Sequence, residues 1–130
     1  MRRGVVAVVI AAALLVGSVA EAHARSFGSV IRFTRAVVDG NDVERVVGVV
    51  ESNRAQCIRE RKVVAFFKES GEDEEVYGKT LTNSEGRWVI EENGPAGEIY
   101  RFVVRRKTIV RNGHRHECRA DDDATLIFEN

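Results

Sequence analysis

Tyr100, Phe102 and Val104 alternate with Arg101, Val103 and Arg105, and this period of two restricts the chain more than any other feature. In an extended strand successive side chains point to opposite faces, so the alternation gives one apolar face and one wet face. A helix would scatter the same residues around its circumference. Trp88 and Ile90 repeat the pattern against Arg87, Val89 and Glu91, and so place Trp88 inward. Val43 to Glu51 is dense in valine, with Gly48 inside it, which suggests a bulge or a close approach by another group. Val63 to Phe67 is a short apolar run bounded by charges and reads as a strand buried on at least one face.

Turn formers punctuate these runs. Asp39-Gly40-Asn41-Asp42 reverses the chain, Asn83 to Gly86 closes a hairpin with Gly86 at positive φ, and Asn112-Gly113 is a short hairpin signal. Glu69 to Glu75 reads as an acidic loop around Gly71, and Asp121-Asp122-Asp123 as a turn. Ala124 to Phe128 is the closing strand, with Leu126 and Phe128 on its inner face. The total is seven to nine short strands at roughly ten-residue spacing, which predicts an all-β, antiparallel sandwich or barrel. The expected core is Phe66, Trp88, Tyr100, Phe102 and Phe128.

The first 24 residues follow another logic. Arg2 and Arg3 precede an apolar run from Val5 to Val16, and small residues lead to Ala22-His23-Ala24. This is the layout of a cleaved secretory signal. The run is shorter than the roughly 20 residues a membrane-spanning helix needs. Residues 1–24 are therefore expected to be a signal peptide and 25–130 a single exported domain, secreted or on the exterior of the cell envelope. An exported chain with two cysteines most often pairs them, so Cys57 and Cys118 are expected to form a disulfide; the alternative, free thiols serving as metal ligands or redox groups, lacks a Cys-x-x-Cys spacing.

Setting aside Arg2, Arg3 and Glu21, the 20 basic and 20 acidic residues fall to 18 and 19, a formal charge of −1. That balance gives no basis for a nucleic-acid partner. The charges are segregated nonetheless: Glu69 to Glu75 is acidic, and Arg101 to Arg119 is basic. Such patches are solvated faces or electrostatic docking surfaces.

Candidate chemistry is thin. His114 and His116 share a strand face and, with Glu117 or Asp121, form a weak metal candidate. Asp121, Asp122 and Asp123 are a calcium candidate, but three adjacent aspartates on a turn do not converge on one ion. Ser52, Ser70 and Ser84 lack a nucleophile-elbow context. No catalytic set, metal site or cofactor is expected.

Val46-x-Gly48-x-Val50, then Arg61 to Phe66, Gly78 to Thr82 running into Asn83-Ser84-Glu85-Gly86-Arg87-Trp88, Ala96-Gly97, Tyr100 and a late Cys118 occur in that order. This series resembles the carboxypeptidase regulatory-like, or transthyretin-like, β-sandwich modules over about residues 43–128, most closely the secreted stand-alone bacterial versions. Where many members have a Pro-x-x-Gly-Ala-x-Val approach to the second strand, this chain has Cys57-Ile58-Arg59-Glu60-Arg61-Lys62-Val63. The resemblance implies a seven-stranded Greek-key sandwich with a structural or binding role and no catalytic residues. The expectation is a non-enzymatic exported module with a protein or surface partner, monomeric or weakly oligomeric, with strand addition at an open sheet edge as one docking mode. The alternative is an accessory domain that binds a small ligand, carbohydrate or metal.

Overall fold

The structure is a computed structural model that describes residues 25–130; the expected signal peptide lies outside the described residues. Among the described residues eleven strands run in chain order: β1 (Arg25–Phe27), β2 (Val30–Asp39), β3 (Asp42–Glu51), β4 (Lys62–Lys68), β5 (Glu75–Leu81), β6 (Arg87–Ile90), β7 (Gly94–Pro95), β8 (Glu98–Val104), β9 (Lys107–Arg111), β10 (His114–Cys118) and β11 (Asp121–Ile127). A 3-10 turn spans Ala55–Cys57. One four-stranded sheet has the order β11-β8-β4-β5, and a second has β2-β3-β6 with β7 beside β3; both are antiparallel. A small sheet, β1-β10-β9, adds the one parallel pairing among the described residues, β1 with β10.

The two larger sheets pack inner face to inner face. Ile31, Val43, Val46, Val50, Trp88 and Ile90 from one meet Val63, Ala65, Tyr100, Phe102, Val104 and Ile127 from the other. The Trp88 and Phe102 rings are 5.1 Å apart and Phe33 stacks on Phe102 at 5.4 Å. Each fully buried side chain of this size contributes roughly 1.5–3 kcal/mol. Gly48 lies opposite Trp88 in the β3–β6 register. A Cβ there would fall inside the Trp88 ring and against the Arg32 carbonyl oxygen, which is the close approach the valine strand required.

Strands β2 and β11 are edges of different sheets and lie side by side without a ladder. The Asp121 carboxylate accepts the Ile31 N–H at 2.9 Å, and the same Oδ2 position of Asp123 accepts the Phe33 N–H at 3.1 Å. Two aspartate side chains thus cap edge amides that would otherwise be open to another chain.

Four expectations are corrected here. Asp121 to Asp123 do not form a turn but begin β11, because their alternate carboxylates find amide donors on β2. This sets the phase of the strand, so Ile127 points inward and Leu126 outward. Phe128 lies beyond the strand and is 72% exposed, so it is not a core residue. Phe66 faces outward and is half-buried beneath the Arg101 guanidinium, 4.8 Å from its ring centre; Val63 and Ala65 take the inner positions on β4. Trp88, Tyr100 and Phe102 occupy the core as expected.

Candidate functional site

The registers sort every connection to one of two ends. Val63 pairs with Val104 and Lys68 with Ile99, so the β4–β5 loop and the β8–β9 connection are at opposite ends of the sandwich. The β2–β3 turn, the segment before β8 and the C-terminus join the β4–β5 loop: Ala96 N–H donates to Asn41 O, Gly97 N–H to Ile127 O, and Asn130 N–H to Gly40 O. Residues 39–42, 69–75, 92–98 and 128–130, which make up this end, hold ten acidic residues and no basic one. The other end comprises residues 25–29, 52–62 and 105–119, which hold eleven basic residues and two acidic ones. It also carries the β5–β6 turn, where Glu85 pairs with Arg87.

Arg61 anchors the cationic end. It is fully buried and meets no carboxylate among the described residues. One terminal nitrogen donates to Ser29 Oγ at 2.7 Å and Cys57 O at 2.6 Å; the other donates to Arg105 O at 2.8 Å and Arg119 O at 3.0 Å. Its Nε has no acceptor among the described residues. Burial lowers its pKa, but an arginine starts so high that it stays charged. The positive φ of Glu60, 52°, turns the chain so that Arg61 enters the interior while Arg59 stays outside. The disulfide between Cys57 and Cys118, with Cα atoms 5.4 Å apart, lies next to this cage and joins two of the segments that Arg61 binds.

Above the cage is a cleft of about 50 Å3 lined by Phe27, Arg54, Gln56, Ile109, Arg111 and His116. The Arg54 guanidinium sits 4.5 Å over the Phe27 ring, and Phe27 is 5.9 Å from the His116 ring. His116 Nδ1 is buried with no partner among the described residues. Lys107 braces the wall by donating to Gln56 O and Arg59 O, and burial pushes its ammonium pKa down. Two guanidinium groups, an imidazole, an aromatic face and an isoleucine suit a carboxylate carried on an apolar stem. The hydroxyls nearby are committed: Ser52 donates to Gly28 O, and Ser29 accepts from Arg61.

The sequence-derived candidates are not gathered in one place. His114 and His116 do share a face of β10, opposite Arg111 and Ile109. Asp121 and Asp123 are spent on the β2 amides. Among the described residues no group of three or more His, Cys, Asp and Glu converges on a common point. Arg54 and Phe27 are not among the sequence-derived candidates, and Arg61 appears there only within the run from Arg61 to Phe66 that carries the family resemblance. A scan of family models and a search of curated proteins both return no match to this chain.

A second, larger groove of about 520 Å3 lies on the outer face of the β11-β8-β4-β5 sheet, where exposed Ile99 and Leu126 flank Arg101. Arg101 clasps Glu74 through two bonds, at 2.7 and 3.0 Å, which hold the Glu74 carboxyl below the usual carboxylate range.

Proposed function

We propose that this chain is an exported, non-catalytic β-sandwich module of the transthyretin-like type, with Greek-key connections, that recognises a protein or surface partner through its charged ends. The observation that carries this reading is the segregation of charge in a chain whose formal net charge is zero. Random decoration of a neutral surface would mix the signs at both ends; opposed ends steer and orient an encounter. The disulfide and the alternation around Trp88, Tyr100 and Phe102 support export and the sandwich class. A metal role has less support, because no group of three or more His, Cys, Asp and Glu converges among the described residues, and the cationic cleft itself is far below the roughly 300–1,000 Å3 typical of small-molecule sites.

Calorimetry with Glu-rich and Lys-rich peptides, a glycan panel, calcium and zinc tests the reading. Heat with the charged peptides that vanishes at high salt is the expected result. Heat with a glycan or metal alone would replace it with the small-ligand alternative. Intact mass of the exported protein starting at Arg25 tests the leader.

A further inference from the structure

We infer that the two ends fit each other between copies: the acidic β4–β5 loop of one molecule docks at the cationic cleft of the next. This rests on the recognition reading above and names the partner as a second copy of this chain.

Three observations lead there. First, the ends are complementary but cannot satisfy each other within one molecule. Strand β4 alone, seven residues long, separates them by roughly 20 Å, about two Debye lengths at 0.1 M salt. Second, the acidic loop presents unspent carboxylates. Glu74 is held by Arg101, whereas Glu69, Glu72 and Asp73 form no ion pair among the described residues and are exposed. Gly71, at φ 80°, and the Glu72 N–H bond to Glu69 O shape the loop into a tight projecting turn. Third, the cleft is sized for a group and not for a whole ligand. About 50 Å3 admits a carboxylate and its methylene, with Arg54 and Arg111 as donors and Phe27 and Ile109 against the stem.

The contact is heterologous. Every docked pair leaves one acidic and one cationic end free, so growth gives open chains or closed rings and not a two-fold dimer. The Asp121 and Asp123 caps keep the β2–β11 seam out of the contact, so assembly proceeds through side chains.

Sedimentation velocity on the purified protein over a wide concentration range, at about 20 mM and about 500 mM salt, reads the association. The expected result is a weight-average mass that climbs with concentration at low salt and returns to the monomer at high salt. Two charge-reversed variants sharpen it: Arg54→Glu with Arg111→Glu, and Glu72→Lys with Asp73→Lys. All four side chains are on the surface, and circular dichroism checks that both variants fold. Each variant alone should remain monomeric, while an equimolar mixture should associate, because opposite ends meet again. A wild-type protein that stays monomeric at low salt, or association that neither variant changes, overturns the inference. Binding of a Glu-rich peptide, measured in parallel, separates the two levels. Peptide binding without self-association sinks the self-docking and spares the recognition reading, whereas loss of both sinks both.

Discussion

The guanidinium of Arg61 donates to the carbonyl oxygen of Cys57 at 2.6 Å, so a buried cation is held by the backbone of a half-cystine and not by an acid. Its four bonds reach Ser29, Cys57, Arg105 and Arg119, and these belong to the separate segments that build the cationic end.

Arg61→Met is expected to lower unfolding stability by about 3–5 kcal/mol, because buried carbonyl groups lose their donor while the methionine fills only part of the volume. Arg61→Lys recovers little, since an ammonium cannot reach four acceptors in a planar fork. Urea unfolding of both variants checks this; a neutral or stabilising Arg61→Met would mean that desolvation of the charge outweighs its bonds.

The aspartate seam makes a local prediction. Asp121→Ala strips the acceptor from the Ile31 N–H and is expected to cost about 1–2 kcal/mol. Amide hydrogen exchange should speed up at Ile31 before other β2 positions. Asp123→Ala should do the same at Phe33, and the asparagine variants, which keep a carbonyl oxygen, should fall between.

Gly48→Ala is expected to destabilise by about 3 kcal/mol or to prevent folding, since the new methyl overlaps the Trp88 ring and the backbone oxygen of Arg32. Thermal unfolding followed by tryptophan fluorescence is direct, as Trp88 is the single tryptophan of the chain. An unchanged melting temperature would show that β2 and β3 can move apart.

Alkaline pH probes the other end of the core. The chain has two tyrosines, and both are raised. For Tyr77 and Tyr100 alike the main cause is burial, which disfavours the phenolate; Tyr77 donates to Glu92 O, and Tyr100 to Pro95 O at 2.7 Å. A raised folded pKa means that the unfolded chain releases these protons first. Their contribution is complete below about pH 10 and is lost as pH rises above it. Absorbance at the tyrosinate band should therefore appear together with loss of structure and not before. A tyrosinate signal that rises ahead of unfolding would contradict the burial.

Much of the sandwich was legible in the alternation of Trp88, Ile90, Tyr100 and Phe102, because a period of two needs no tertiary information to be seen. Asn112 and Gly113 both take positive φ, 53° and 77°, and Gly86 takes 82°, as turn chemistry requires. Three of the four corrections share one cause. Asp121-Asp122-Asp123 reads as a turn because its amide partners, Ile31 and Phe33, are 90 residues away in sequence, and a strand begun after that turn has its phase one residue off and places Phe128 in the core. A single residue at positive φ, Glu60, decides which of two neighbouring arginines is buried, and nothing in its identity announces that. The cationic cleft depends on β1 meeting β10 in parallel, a long-range pairing that no local pattern encodes.

The opposed ends also mean that net charge is a poor guide to how this molecule behaves on a surface. A protein with near-zero formal charge ordinarily passes both kinds of ion-exchange matrix, whereas this one keeps its acidic and basic residues at opposite ends of its strands. It should adhere to either matrix at neutral pH and low ionic strength, basic end down on one and acidic end down on the other. At a charged cell boundary the same asymmetry would make it stand upright in a fixed polarity.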